Sequence, residues 1–123
     1  MLTNQRVFDK AWMWYVWDGQ PLCYDLQFNA PAGYTARTRY RLLGMRDPIA
    51  LHIPEELEIP YAVMDEAPNV VLDALGISYE DASFVNEIRA AHDRAARGLC
   101  SVQHAFRAVA AEYGLTIPER RKP

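Results

Sequence analysis

The sequence contains only two cysteines and no hydrophobic run long enough to cross a membrane. Cys23 and Cys100 are fewer than a small secreted domain uses for a disulfide framework, so we expect free thiols. The apolar stretch 11–17 is also too short for the core of a signal peptide. These absences predict a cytoplasmic protein without a membrane partner.

Common catalytic and cofactor-binding motifs are missing as well. The sequence has no glycine-rich phosphate loop, no Gly-x-Ser-x-Gly nucleophile turn and no His-Glu-x-x-His zinc motif. His92, Cys100 and His104 lack the paired spacing of a structural zinc site. Cys100 and His104 stand four residues apart at a predicted helix start, but no third group that would orient them is recognisable. We therefore predict no catalytic residue, no metal and no cofactor.

The composition is that of one globular domain. Of the 123 residues, 50% are hydrophobic and 24% are charged, which excludes disordered and fibrous proteins. Strand signals come first and helix signals last, so we predict an α+β fold with an N-terminal antiparallel β-meander packed against a C-terminal helical hairpin. The expected parts are the meander (1–46), an acidic connection with a short helix (47–77), the helical hairpin (78–114) and a flexible tail (115–123).

The meander of three or four strands is predicted from alternation and turn signals. Residues 11–17 are rich in aromatic side chains, and the following Asp18-Gly19 is a strong hairpin-turn signal. Residues 22–28 and 34–43 alternate between apolar and polar side chains. A fourth strand is expected over 49–53.

The strand registers predict that tryptophan and arginine share one sheet face. Pairing Phe28 with Tyr34 places Asp25 opposite Arg37, and the Asp18-Gly19 turn places Trp12 opposite Asp25. This face would carry Trp12, Trp14, Arg37, Arg39 and Arg41. If it is exposed, it is a binding surface, because tryptophan and arginine are enriched at binding hot spots. If it is covered, the arginines are scaffolding tied to Asp25.

Capping signals divide the last part of the chain into helices. A short helix is expected over 68–75, and a second helix is expected to begin at a capping box opened by Ser78 and to end at Gly98. Ser101 is predicted to cap a third helix, which Gly114 stops.

The charge of the chain is strongly segregated. The formal net charge is only −3, but residues 47–81, here called the acidic segment, contain nine acidic residues and no lysine or arginine. Such a segment either forms a negative surface for a basic partner or pairs with the basic flanks across the fold. Within it, the candidate partner-binding residues are Glu55, Glu56 and Glu58.

Small size, missing catalytic motifs and an acidic lobe favour a non-enzymatic protein-binding regulator or inhibitor. Its partner is expected to be another protein, a basic, nucleic-acid-binding protein would suit the acidic lobe, and a bacterial or phage origin suits this class. The first alternative is a nucleic-acid or nucleotide-binding module that uses the tryptophan and arginine face. The second alternative is a small enzyme or small-molecule binder with a pocket between sheet and helices.

Overall fold

The computed structural model describes residues 1–29, 31 and 33–120 and has a mixed α+β fold. Over these residues the chain forms four α-helices and two separate two-stranded antiparallel sheets. The helices are α1 (Asn4–Trp12), α2 (Pro68–Ala74), α3 (Ala82–Ala96) and α4 (Val102–Tyr113). The strands are β1 (Tyr24–Asn29), β2 (Gly33–Thr38), β3 (Arg41–Leu42) and β4 (Met45–Arg46). The predicted α+β class is confirmed, but the continuous meander is not.

The predicted first strand is wrong, because residues 4–17 are helical. Thr3 caps α1 by accepting the Arg6 amide at 3.1 Å, and a π-helical segment, Met13–Trp17, continues it. The buried residues recur at helical spacing. They are Val7, Phe8, Ala11, Trp12 and Tyr15. The helix therefore buries a continuous stripe, and Gly19, with a φ of +62°, follows the helix end instead of making a hairpin turn.

The hairpin of β1 and β2 has the predicted register. Asp25 lies opposite Arg37, and Phe28 lies opposite Tyr34. The predicted strand 34–43 is broken after Thr38, because Tyr40 turns inward and donates its hydroxyl to the Glu66 carbonyl at 2.5 Å. Strands β3 and β4 form a second, short hairpin.

The predicted strand 49–53 is also wrong. It forms a 3₁₀ turn, Ala50–His52, because Asp47 Oδ1 accepts the amides of Ile49 at 3.0 Å and Ala50 at 2.7 Å. These two backbone amides bond to a side chain and are therefore not available for hydrogen bonds to a neighbouring β-strand.

The C-terminal helices agree closely with the sequence signals. Helices α3 and α4 pack as a hairpin, Ser101 caps α4, and Gly114 ends it in the left-handed conformation. The capping box at Ser78 is wrong, since the cap of α3 is Asp81. Ser78 instead accepts the Leu2 amide through its carbonyl at 2.9 Å, which ties the N-terminus to the start of α3.

The core lies between the four α-helices and the 3₁₀ turn. Its largest fully buried apolar side chains are Phe8, Phe84, Phe106, Ile49, Leu72 and Ile88. The first residues of the predicted flexible tail (115–123) contact α1, and residues 121–123 lie outside the described residues. Thr116 exchanges two hydrogen bonds with the Gln5 side chain, at 2.7 and 3.0 Å.

Candidate functional site

The base of the β1–β2 hairpin is fixed to α3 by polar side chains. The Cys23 amide donates to His92 Nε2 at 3.0 Å, and His92 Nδ1 lies 2.9 Å from Asp93 Oδ1. Arg89 donates to Thr38 Oγ1 at 3.3 Å, at the other foot of the hairpin. Helix α3 therefore holds the hairpin at its foot, where the chain enters β1 and where it leaves β2.

A buried ion pair lies directly behind this attachment. Asp47 is fully buried, and its Oδ2 lies 2.9 Å from the guanidinium of Arg89. Arg89 also contacts Asp93 at 3.1 Å, and its guanidinium carbon lies 4.3 Å from the centre of the Tyr40 ring. Burial raises the pKa of Asp47 to about 6 against the opposing effect of Arg89. Burial opposes the charge of Arg89, but Asp47 and Asp93 outweigh it and raise the pKa of Arg89 above its ordinary value.

The nearby thiol and imidazole do not form a catalytic pair. His92 Nε2 accepts the Cys23 backbone amide, so this nitrogen holds no lone pair for a thiol proton. Burial raises the pKa of Cys23 to about 12, which disfavours the reactive thiolate. The arrangement fixes structure at the foot of the hairpin.

Tryptophan and arginine do not share a face, so that prediction is wrong. Trp12 is buried in α1, where its ring stacks on Phe8 at 5.9 Å, and Trp14 is half-buried in the π-helical segment. The predicted pairing failed because the segment that carries both tryptophans is a helix.

The three predicted arginines contact acceptors of the chain itself. Arg39 pairs with Asp25 at 3.1 Å, and Arg37 pairs with Asp65 at 3.4 Å. Arg41 donates to backbone carbonyls. These carbonyls belong to Ile53, Pro54 and Leu57. Arg37 and Arg41 thus tie the two hairpins to the acidic segment, whereas Arg39 is held at the base of the first hairpin.

The acidic segment is only partly neutralised. Three of its nine carboxylates pair with an arginine of the described residues, through Asp47–Arg89, Asp65–Arg37 and Glu55–Arg46. Glu56 and Glu58 are exposed and make no ion pair with any described residue. Of the three predicted glutamates, two therefore remain available to a partner.

The β1–β2 hairpin leaves a row of large apolar side chains in solvent. Because side chains alternate along a strand, Thr38 shares one side of the hairpin with five apolar or aromatic residues, and these five are here called the hairpin apolar face. They are Tyr24, Leu26, Phe28, Tyr34 and Ala36. Leu26 is 62% exposed, Phe28 65% and Tyr34 71%. The Phe28 and Tyr34 rings meet edge to face, 5.4 Å apart. The predicted packing of the meander against the helical hairpin would cover one face of the sheet, so the exposure of the hairpin apolar face is a correction.

A shallow cavity of about 370 Å³ lies between the end of β2 and the acidic segment. Thr38, Arg39 and Tyr40 line one side, and Ile59, Met64 and Asp65 line the other. It differs in place from the predicted pocket between sheet and helices. Arg39, one of the charged side chains that line it, is already held by Asp25.

Residues that sequence reasoning missed fall into two sets. Asp47 and Arg89 were not recognised because they meet only in the fold, although the four-residue spacing of Arg89 and Asp93 indicates a helical ion pair. The exposure of Leu26 and Phe28 has no sequence signal, since alternation does not say which face is covered.

No protein-family model, curated protein or solved structure matches this chain. Within residues 1–29, 31 and 33–120, the helices are too short or too polar to span a membrane. The same residues contain no cluster of metal-ligating side chains. Both cysteines are free thiols, as predicted. The function is therefore inferred from the chemistry of the chain's own surface.

Proposed function

We propose that this protein is a non-enzymatic regulator or inhibitor that binds another protein through the hairpin apolar face. The observation that carries the proposal is the exposure of Leu26, Phe28 and Tyr34 as neighbours on one face. Contiguous exposed apolar surface is typical of interaction sites, and aromatic side chains dominate the energetics of interfaces.

The position of the acidic segment beside β2 supports a basic partner. Asp65 contacts Arg37 of the hairpin, which brings the acidic segment alongside β2. Glu58 and Asp65 both line the cavity at the end of β2. Glu56 and Glu58, which make no ion pair with any described residue, would steer a partner whose apolar patch is bordered by lysine and arginine. Enzymes that process nucleic acids carry such basic surfaces.

The attachment of the hairpin supports a preorganised binding element. His92 and Arg89 hold its two feet through hydrogen bonds of 3.0 and 3.3 Å. A hairpin fixed in this way loses little conformational freedom on binding, so more of the contact energy appears as affinity.

The two alternatives have less support in the described residues. Arg37 and Arg39 contact carboxylates, and Arg41 is engaged by carbonyls, so phosphate groups would have to displace these acceptors. A catalytic role for Cys23 is opposed by its raised pKa. We therefore expect no measurable binding of single-stranded DNA or RNA at physiological salt.

Site-specific photo-crosslinking in the native host tests the proposal. A photoreactive phenylalanine analogue at position 28 should form a crosslink to one protein other than this chain itself, because that side chain is exposed on the apolar face. The matched control places the analogue at position 99, where Leu99 is 71% exposed on the turn between α3 and α4. An excess of the unlabelled parent protein should compete with the crosslink, and the Leu26→Ser variant should not.

Three results would contradict the proposal. The first is equal crosslinking from positions 28 and 99, and the second is competition by Leu26→Ser as strong as that of the parent. The third is salt-sensitive binding of a random oligonucleotide that is lost when Arg37, Arg39 and Arg41 are changed together to alanine, which would favour the nucleic-acid alternative.

A further inference from the structure

The outer edge of β1 carries backbone groups that have no partner among the described residues. The Arg39 amide donates to the Cys23 carbonyl at 3.2 Å, and the register places these two residues directly opposite each other. In an antiparallel ladder, hydrogen-bonded and non-hydrogen-bonded pairs alternate. Asp25 and Gln27 therefore bond to β2, as Cys23 does. The alternate residues of β1 direct their N–H and C=O groups outward, away from β2. They are Tyr24, Leu26 and Phe28.

Among the described residues, the one charged side chain on this edge strand is Asp25, and it is paired with Arg39. No other strand of the described residues pairs with β1. Leu26 and Phe28 are exposed, and the register of β1 runs without a bulge. Natural edge strands are commonly blocked by lysine, proline or a bulge, and β1 has none of these between Tyr24 and Phe28.

We propose that this edge pairs antiparallel with the same edge of a second copy of the chain. The two hairpins then form one four-stranded sheet with β1 strands at its centre. A register centred on Leu26 uses residues 24–28 of both copies. It joins the outward N–H and C=O groups of Leu26 to those of Leu26 of the second copy, and it places Tyr24 opposite Phe28 of the second copy.

The side chains of β1 suit a second copy. In the register centred on Leu26, Asp25 faces Gln27 of the second copy, so a carboxylate meets an amide and no like charges are opposed. A register centred on Asp25 would oppose two carboxylates and is disfavoured. Tyr24 and Phe28 make cross-strand aromatic pairs twice, because a two-fold axis repeats each contact.

This dimer is independent of the proposed function and compatible with it. Residues directly opposite in a sheet project to the same side, so both hairpin apolar faces would lie on one side of the four-stranded sheet. Pairing through the edge leaves those faces open to a partner protein.

Opposite charges at position 27 test the inference. In the dimer, Gln27→Lys places two lysines opposite Asp25 of the other copy, and Gln27→Glu places two glutamates there. Sedimentation equilibrium of the full chain should show a dimer that Gln27→Lys tightens and Gln27→Glu weakens, each by roughly 2- to 30-fold. Within one copy, Gln27 lies diagonal to Arg37, so the stability of the monomer would rank the two variants in the opposite order.

Two proline variants provide the matched control. The Leu26 amide points away from β2, so Leu26→Pro should abolish dimerisation while the hairpin keeps its own hydrogen bonds. Ala36→Pro makes the same change directly opposite, on the outer edge of β2, and should leave the dimer intact. The inference is overturned if the parent stays monomeric at millimolar concentration, if the two Gln27 variants dimerise equally, or if Ala36→Pro dissociates the dimer as fully as Leu26→Pro.

Discussion

We predict that breaking the ion pair between Asp47 and Arg89 strongly lowers the free energy of unfolding. Asp47 is fully buried, and only 13% of the Arg89 side chain is exposed. Arg89→Met keeps much of the aliphatic volume but leaves the carboxylate of Asp47 without its cation. Removing one partner of a buried pair costs about 3–5 kcal/mol, because an uncompensated charge remains in the interior.

The same helix provides the control. Arg94 pairs with Glu87 at 3.2 Å, but their side chains are 40% and 33% exposed. Arg94→Met should therefore lower the free energy of unfolding by only about 0.2–1 kcal/mol. Both variants remove an arginine from α3, so the difference between their free energies of unfolding measures how much burial adds to the cost of breaking an ion pair.

Urea denaturation followed by circular dichroism gives the two free energies of unfolding. The double variant Asp47→Asn/Arg89→Met should regain a measurable part of the stability lost in Arg89→Met, because the unpaired charge has been removed with its partner. Equal losses in Arg89→Met and Arg94→Met would refute the assignment of a buried pair. No recovery in the double variant would refute the coupling between Asp47 and Arg89.

Two further predictions concern pH and association. The pKa of Asp47 is about 6 in the fold against an ordinary value of 3.8, so between about pH 4 and pH 6 the folded protein holds a proton that the unfolded chain has lost. The free energy of unfolding should therefore fall by about 3 kcal/mol as pH rises through this window. Urea titrations at several pH values measure this fall, and Asp47→Asn should remove it. The same pH profile in Asp47→Asn and in the parent would contradict this prediction. Replacing Glu56 and Glu58 with glutamine should slow association with the crosslinked partner and flatten its salt dependence in stopped-flow experiments, and unchanged rates across the salt series would exclude a steering role.

The parts of the fold that the sequence predicts well are those fixed by local chemistry. Ser101 and Gly114 bound α4 because a hydroxyl cap and a left-handed glycine act within a few residues. The β1–β2 register follows from short-range alternation, and it places Asp25 opposite Arg37 as predicted.

The first helix was missed because its signal extends beyond the window that suggests a strand. Residues 11–17 alone are rich in aromatic side chains, but the buried stripe begins at Val7 and Phe8 and has helical spacing. The helix buries Trp12 and Tyr15 in the core, and this burial outweighs the strand propensity of aromatic residues.

The candidate site could not be predicted because it depends on which surfaces remain uncovered. Alternation predicted that Leu26 and Phe28 share a face, and this is correct. It also suggested that the face packs on helices, but α3 holds only the feet of the hairpin, through contacts that include Arg89 with Thr38. Long-range packing of this kind leaves no local pattern in the sequence.

The most direct test is the affinity of the crosslinked partner for two serine variants of the full chain, measured by isothermal titration calorimetry. Phe28→Ser removes an aromatic side chain from the hairpin apolar face, whereas Leu99→Ser removes a similarly exposed apolar side chain elsewhere. We predict that Phe28→Ser weakens binding by about 1–3 kcal/mol, roughly 5- to 150-fold in Kd, and that Leu99→Ser leaves it unchanged. Equal affinities for the two variants would contradict a binding role for the hairpin.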